Sequence, residues 1–349
     1  MIALASMPNS FRNSCCRALA PALIALVFVP SVRAVENGSG YAQRPEVREF
    51  IAEFAGEQGF DTRALLRLFG HVQTQNSAIR AMSAPVTTPP KWFEYAPQFL
   101  SAERIAGGIA FRSAHRAALE RAEREYGVPP EVVTAIIGVE TFYGRNAGRY
   151  RVLDALTTLA FDYPRRADYF REELKQFLLL TRELKISPLW PRGSFAGAMG
   201  VPQFMPTSFR RYAVDFDADG RIDLWTDMDD VIGSVANYLS RFGWETGHPV
   251  LIPVSVDSDE ARAMVATNGL SERRDFTDWT ALNVTARDST PIDPRWAAAL
   301  VLLEEVDGPA YRLGFNNFYV LTRYNRSRLY ATAVWELAQR IRKGDNTQP

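Results

Sequence analysis

The pattern of apolar residues changes character near residue 250 of this chain, and that change sets the fold class. As far as Phe242, apolar side chains recur at three- and four-residue steps, as in Val47, Phe50, Ile51 and Phe54 of the stretch Arg44 to Gly56. That spacing predicts helices. The same reading predicts helices over Thr62 to Phe69, Ser101 to Tyr126, Arg165 to Leu184 and Val231 to Phe242. A proline-rich break at Ala84-Pro85 to Pro89-Pro90 interrupts the first group. From Val250 the runs shorten and read as strands: Leu251 to Val256, Leu300 to Val306 and Phe318 to Tyr324. Arg328 to Arg342 closes the chain with a helix. The expected fold is therefore α+β and mostly α, with a small strand-rich insertion near the C-terminus.

No disulfide helps to hold it. Cys15 and Cys16 are the only cysteines of the 349 residues, and both lie in an N-terminal segment that reads as a signal peptide. Arg12 and Arg17 precede an apolar run from Ala18 to Pro30, and Val32-Arg33-Ala34 offers a small-residue cleavage point. The run is short for a membrane span. An uncleaved N-terminal anchor is the alternative. Arg12-Asn13-Ser14 ahead of Cys15 lacks the small apolar residues that a lipid anchor needs. Cleavage would leave a chain without thiols, which excludes zinc–thiolate sites and cysteine nucleophiles. An exported, soluble, periplasmic protein is expected. Forty basic residues balance 40 acidic ones, so no nucleic-acid footprint is visible.

One carboxylate stands out. In A-I-I-G-V-E-T-F-Y-G, Ala135 to Gly144, Glu140 ends an apolar run. Pro129-Pro130 opens this helix, and if it spans Glu131 to Tyr143, then Val133, Ile136, Ile137 and Glu140 share a face. Burial and the negative end of the helix dipole both raise a glutamate's pKa, as a general acid requires. The alternative is a carboxylate exposed or paired with Arg145 or Arg149. No second acid is obviously placed beside it as nucleophile, although Asp154 and Asp162 could approach.

A second acidic motif lies further on. D-F-D-A-D-G-R-I-D-L-W-T, Asp215 to Thr226, puts oxygen donors at positions one, three, five and nine of an EF-hand-like loop, with Gly220 at the sharp turn. Arg221 would lend its carbonyl. Thr226 replaces the bidentate glutamate, and Asp223 would bind through water or cap locally. A structural Ca²⁺ held by Asp215, Asp217 and Asp219 is the expectation.

Three motifs occur in order: Gly138 to Ala167, the small-residue loop G-S-F-A-G-A-M-G-V-P-Q-F-M-P-T-S-F (Gly193 to Phe209), and G-S-V-A-N-Y (Gly233 to Tyr238). Together they closely resemble the lytic transglycosylase B family, from about Tyr95 to Tyr330. That resemblance implies a lysozyme-like core that cuts peptidoglycan between N-acetylmuramic acid and N-acetylglucosamine. Glu140 would act first as acid and then as base, giving 1,6-anhydromuramyl products without consuming water. It also implies sugar contacts from Ser194 and Gln203, and a groove lined by Tyr238, Tyr324, Asn325, Tyr330 and, on a thinner motif, Tyr95. Arg165 and Arg166 would meet carboxylates of stem peptides. Asp230, with Asp229 as fallback, would close the calcium loop. Phe195 stands where relatives often carry tyrosine.

The expected organisation is a signal peptide (1–34), an N-terminal helical domain (35–130), a lysozyme-like core (131–249) containing the calcium loop (215–230), a small β-rich domain (250–312) and a C-terminal segment returning to the core (313–349). A monomer is expected, with cell-wall synthesis enzymes as further partners. A hydrolytic muramidase of the same fold and a non-catalytic peptidoglycan-binding protein are the competing readings.

Overall fold

The computed structural model describes residues 40–84, 90–266 and 268–345. The expected signal segment and both cysteines lie outside the described residues. Among those described, no helix is long and apolar enough to cross a membrane.

The chain divides into two compact units, one of residues up to Gln73 with Arg80–Ala84, the other of Thr74–Ile79 with Pro85 onward. The first holds helices α1 (Pro45–Gln58) and α2 (Thr62–Gly70). Val47, Phe50, Ile51 and Phe54 are all buried on α1, as their spacing requires. Asp61 caps α2 by accepting the backbone N–H groups of Arg63 and Ala64. Helix α3 follows at Asn76–Ser83. The boundary between units falls well before 130, so the expected helical domain 35–130 is not one unit.

In the second unit, α4 (Trp92–Tyr95) leads to α5 (Ala102–Ala114) and α6 (Arg116–Tyr126), so the helical stretch expected over Ser101 to Tyr126 consists of two helices that meet at His115. Helix α7 (Pro130–Thr141) starts on a proline at its first position and is buried on all sides except at Glu140. Strand β1 (Tyr150–Arg151) pairs antiparallel with β2 (Arg192–Gly193). Between them run α8 (Val152–Asp162) and α9 (Ala167–Glu183). Helix α10 (Pro206–Tyr212) and α11 (Met228–Arg241) complete the part before residue 250.

Beyond it lies a five-stranded antiparallel sheet of order β4-β6-β7-β3-β5. Its members are β3 (Leu251–Val256), β4 (Leu270–Asp275), β5 (Val284–Ala286), β6 (Ala297–Glu305) and β7 (Gly308–Gly314), with short helices α12 (Asp259–Ala263) and α13 (Phe276–Ala281) between strands. Trp279 is fully buried against the sheet and donates its indole N–H to Ala298 O at 2.9 Å. The chain ends in α14 (Asn316–Tyr324) and α15 (Arg328–Asp345). Phe318 to Tyr324 is therefore helical and not a strand. Its apolar residues Phe318, Val320 and Leu321 are buried while Tyr319 is exposed, which fits one face of a helix.

Candidate active site

Helix α7 ends one residue after Glu140. Phe142 takes a left-handed backbone (φ 54°) and so does Tyr143 (φ 60°), neither being glycine. Three side chains, those of Tyr143, Arg104 and Thr141, hold this unusual turn. Tyr143 donates its hydroxyl to Arg104 O at 2.7 Å. The Arg104 guanidinium donates to Gly138 O and lies 4.5 Å from the centroid of the Phe142 ring. Thr141 donates to Val201 O at 3.0 Å and accepts from Gly144 N–H, tying the helix end to the small-residue loop. The Tyr143 ring fits because Gly107, Gly108 and Gly138 leave room: a β-carbon on Gly138 would stand 2.6 Å from the Tyr143 oxygen. Arg104, Thr141 and Tyr143 were not singled out from sequence, though glycines inside two helical stretches signal a close approach.

Glu140 keeps partial exposure while protein surrounds its carboxyl. Burial raises its pKa from the ordinary 4.5 to about 7, against the opposing pull of a hydrogen bond from Tyr330. Tyr330 donates to Glu140 Oε1 at 2.6 Å. The neighbouring cations are engaged elsewhere: Arg145 pairs with Glu103 at 3.0 Å, and Arg149 lies over the Tyr150 ring. Asp154 is buried and pairs with Arg151 at 2.8 Å, so it is not a free second acid. Burial and Tyr330 dominate the titration of Glu140, and no carboxylate is among the influences on it.

Aromatic rings line the space beside it. Tyr324 stacks on Tyr330 with centroids 6.4 Å apart, Tyr238 lies 4.9 Å from Tyr324, and Phe204 packs against both Tyr238 and Tyr324. The hydroxyls of Tyr238 and Tyr324 donate to Arg323 O and Pro202 O, each at 2.7 Å, which fixes both rings in place. Tyr95 feels the Glu140 charge, and burial chiefly pushes its phenol up to about 12. Glu140, Tyr330, Tyr324, Tyr238 and Tyr95 thus form one group.

The loop beside them is built on tight backbone turns. Gly200 (φ 66°) runs so close to Leu224 O that a β-carbon would meet it at 2.4 Å. Gln203 is left-handed (φ 55°), and its side-chain nitrogen donates to Ala147 O and Gly200 O. With both N–H groups taken, its amide oxygen is the atom left for a ligand. Ser194 Oγ accepts from the N–H groups of Ala196 and Ala198. Its hydroxyl hydrogen remains for donation. Three further expected residues make no polar contact with Glu140. Asn325 is exposed at the end of α14, and no hydrogen bond or ion pair ties Arg165 or Arg166 to Glu140. Arg166 instead lies 4.1 Å from the centroid of Tyr169.

In the acidic loop, Asp215, Asp217 and Asp230 bring carboxylate oxygens within 4.8 Å of one another. Asp230 is buried and accepts from Phe216 N–H and Asp223 N–H at 2.6 and 2.7 Å. Burial raises its pKa, partly offset by those two N–H groups. Buried oxygen donors facing two further carboxylates fit a hard cation such as Ca²⁺. Asp229 is outside the cluster. Asp219 is exposed and accepts from Arg221 N–H, and Asp223 caps Trp225 and Thr226 locally.

Comparison with known proteins agrees with this geometry. The transglycosylase SLT domain family matches residues 42–339. The chain belongs to that family. It is 40% identical over 321 residues to membrane-bound lytic murein transglycosylase B of Escherichia coli, covering 89% of this chain and 87% of that one. The crystal structure of soluble lytic transglycosylase SltB1 from Pseudomonas aeruginosa superposes with a TM-score of 0.83 at 45% identity, covering 87% of this chain and all of that one. The E. coli lytic transglycosylase Slt35 in complex with calcium gives a TM-score of 0.79 at 39% identity, covering 88% of this chain and 94% of that one. The family member described here is thus a peptidoglycan lytic transglycosylase with a lysozyme-like, mostly helical fold.

Proposed function

We propose that Glu140 is the sole proton donor and acceptor of a non-hydrolytic cleavage of the bond between N-acetylmuramic acid and N-acetylglucosamine. Its proton goes to the glycosidic oxygen as the bond from that oxygen to the muramyl C1 breaks. The substrate's acetamido group steadies the positive centre at C1. The muramyl C6 hydroxyl oxygen then bonds to C1, and its proton passes to the Glu140 carboxylate. The acid is regenerated, a 1,6-anhydro ring is left, and no water enters the balance. One observation supports this reading above the rest: a carboxyl held near pKa 7 by burial, with a phenol as its hydrogen-bond partner. Such a group gives up and takes back a proton at neutral pH with little cost in either direction.

The remaining roles follow from position. Tyr95 and Tyr324 offer ring faces to saccharide, Tyr238 supports Tyr324 from the buried side of the groove, and Gln203 and Ser194 offer an acceptor and a donor at the loop. Asn325 and the Arg165–Arg166 pair are proposed to contact substrate further from the bond, the arginines through stem-peptide carboxylates. Asp215, Asp217 and Asp230, with Asp219 and the Arg221 carbonyl from the same loop, are proposed to hold a structural Ca²⁺. When bound, the ion neutralises carboxylates that otherwise repel. Export to the periplasm through the N-terminal signal segment would bring the enzyme to its substrate.

Glu140→Gln tests the assignment. Loss of at least a thousandfold in turnover, with glycan binding retained, supports it. Substantial residual activity would mean that another group carries the proton.

A further inference from the structure

The cavity of about 1250 Å³ that opens at Tyr95 is lined mainly by residues with no part in the reading above. It runs between β4 and the α14–α15 junction, and its charge is one-sided. Arg273 and Arg274 on β4, Arg323 on α14 and Arg326 just after it are all exposed, and among the described residues none of the four forms an ion pair. Arg328 differs, being held in an ion pair with Glu304 at 3.0 Å. Arg273 also donates to Ala297 O at 3.3 Å. Against these four cations the cavity wall sets one acid, Glu272.

Like charges gathered without carboxylate partners repel one another, so their grouping is unexplained by stability. Their arrangement suits a ligand. Arg323 and Arg273 lie 4.5 and 5.8 Å from the centroid of Tyr319, whose ring is 41% exposed. An apolar platform flanked by two guanidinium groups fits a chain that alternates carboxylates with aliphatic side chains. Electrostatic reach to the cleft is present too: Arg323 and Arg326 both act on Tyr238, whose hydroxyl donates to Arg323 O. At about 1250 Å³ the space exceeds what one sugar ring needs.

We infer that this cavity is a second stem-peptide site, in which Arg273, Arg274, Arg323 and Arg326 bind the carboxylates of a peptide carried by the glycan strand under cleavage. The inference rests on the peptidoglycan reading of the cleft. Arg165 and Arg166 belong to a separate element and would serve a different stem. Substrate recognition then depends on peptides as well as sugars, and strands stripped of stems are poorer substrates.

The test compares intact glycan strands with the same strands stripped of stems by an amidase. Two pairs of substitutions are used, Arg273→Ala/Arg323→Ala and Arg274→Ala/Arg326→Ala, all at exposed positions. For each pair the ratio of KM on stem-bearing strands to KM on stripped strands should rise about tenfold relative to the unsubstituted enzyme, with kcat changed less. An unchanged ratio, or an equal loss on both substrates, overturns the inference. Isotope-edited NMR titration of Glu140→Gln enzyme with free stem peptide reads binding without turnover. Saturable shifts at β4 and α14 support the site. Their absence, or stronger binding of a poly(glycerol phosphate) probe at the same residues, contradicts it. A fault in the underlying reading shows separately, as failure of the unsubstituted enzyme to cleave either substrate, and the titration still decides the cavity.

Discussion

Tyr330 Oη lies 2.6 Å from Glu140 Oε1, across 190 residues of sequence and between two packed helices, α7 and α15. Burial holds the Tyr330 phenol well above its usual pKa, so it stays protonated and can only donate to the carboxylate. The bond favours the ionised acid, while burial favours the neutral one, and burial prevails.

Activity should therefore fall as pH rises through about 7, where Glu140 loses its proton. In Tyr330→Phe the opposing hydrogen bond is gone, so the pKa rises further and the alkaline limb moves up by about one pH unit. Turnover should drop about tenfold because the carboxyl is less firmly aimed. A pH–rate profile of both proteins checks the sign. A limb that moves to lower pH would contradict the account.

The same displacement should be visible in stability. Between pH 4.5 and about 7 the folded protein keeps a proton on Glu140 that the unfolded chain releases, so stability falls as pH rises through this window. Going from 4.5 to about 7 corresponds to roughly 3 kcal/mol. Glu140→Gln removes the penalty. It should be more stable than the unsubstituted protein above pH 7 by up to that amount, and no more stable below pH 4.5. Denaturant melts across the range measure this.

Gly148 (φ 96°) passes so close to Gly193 that an added β-carbon would stand 2.1 Å from its carbonyl. Gly148→Ala should destabilise the fold by roughly 2–4 kcal/mol, through both the clash and the backbone strain. It should also weaken pairing of Tyr150 with Gly193, next to Ser194. Denaturant midpoints and activity should fall together.

Calcium at about a hundredfold excess over its Kd should stabilise the protein by about 2.7 kcal/mol. Asp217 is exposed, so Asp217→Asn should leave the calcium-free melting temperature nearly unchanged while reducing the rise on adding calcium. Acid should reduce the rise as well, because burial makes Asp230 take up a proton more readily than an ordinary aspartate. Differential scanning with and without chelator measures both effects.

Much of this was legible in the residues themselves. Glu140 was visible because a charge closing an apolar run conflicts with its surroundings, and Leu251 to Val256 was visible because β-branched residues there are dense. Asp230 was set ahead of Asp229 only by the family resemblance, and the cluster of carboxylates favours that choice. Helix α8 escaped notice because nearly all its residues are buried, which erases the periodicity that marks a helix. Strand β4, L-S-E-R-R-D, is mostly exposed and charged at the edge of its sheet, so no apolar pattern announces it. Phe318 to Tyr324 was misread because a short apolar run has no length to separate helix from strand. The bond from Tyr330 to Glu140 and the Arg104–Tyr143 brace join distant segments, and local patterns carry no record of such neighbours.

In the proposed reaction one carboxyl manages both proton transfers while water stays out. Digesting purified sacculi in H₂¹⁸O and weighing the muropeptides by mass spectrometry tests it directly. Anhydromuramyl ends without ¹⁸O, formed by the unsubstituted enzyme and lost in Glu140→Gln, are the expected result. Reducing muramyl ends carrying ¹⁸O would contradict it.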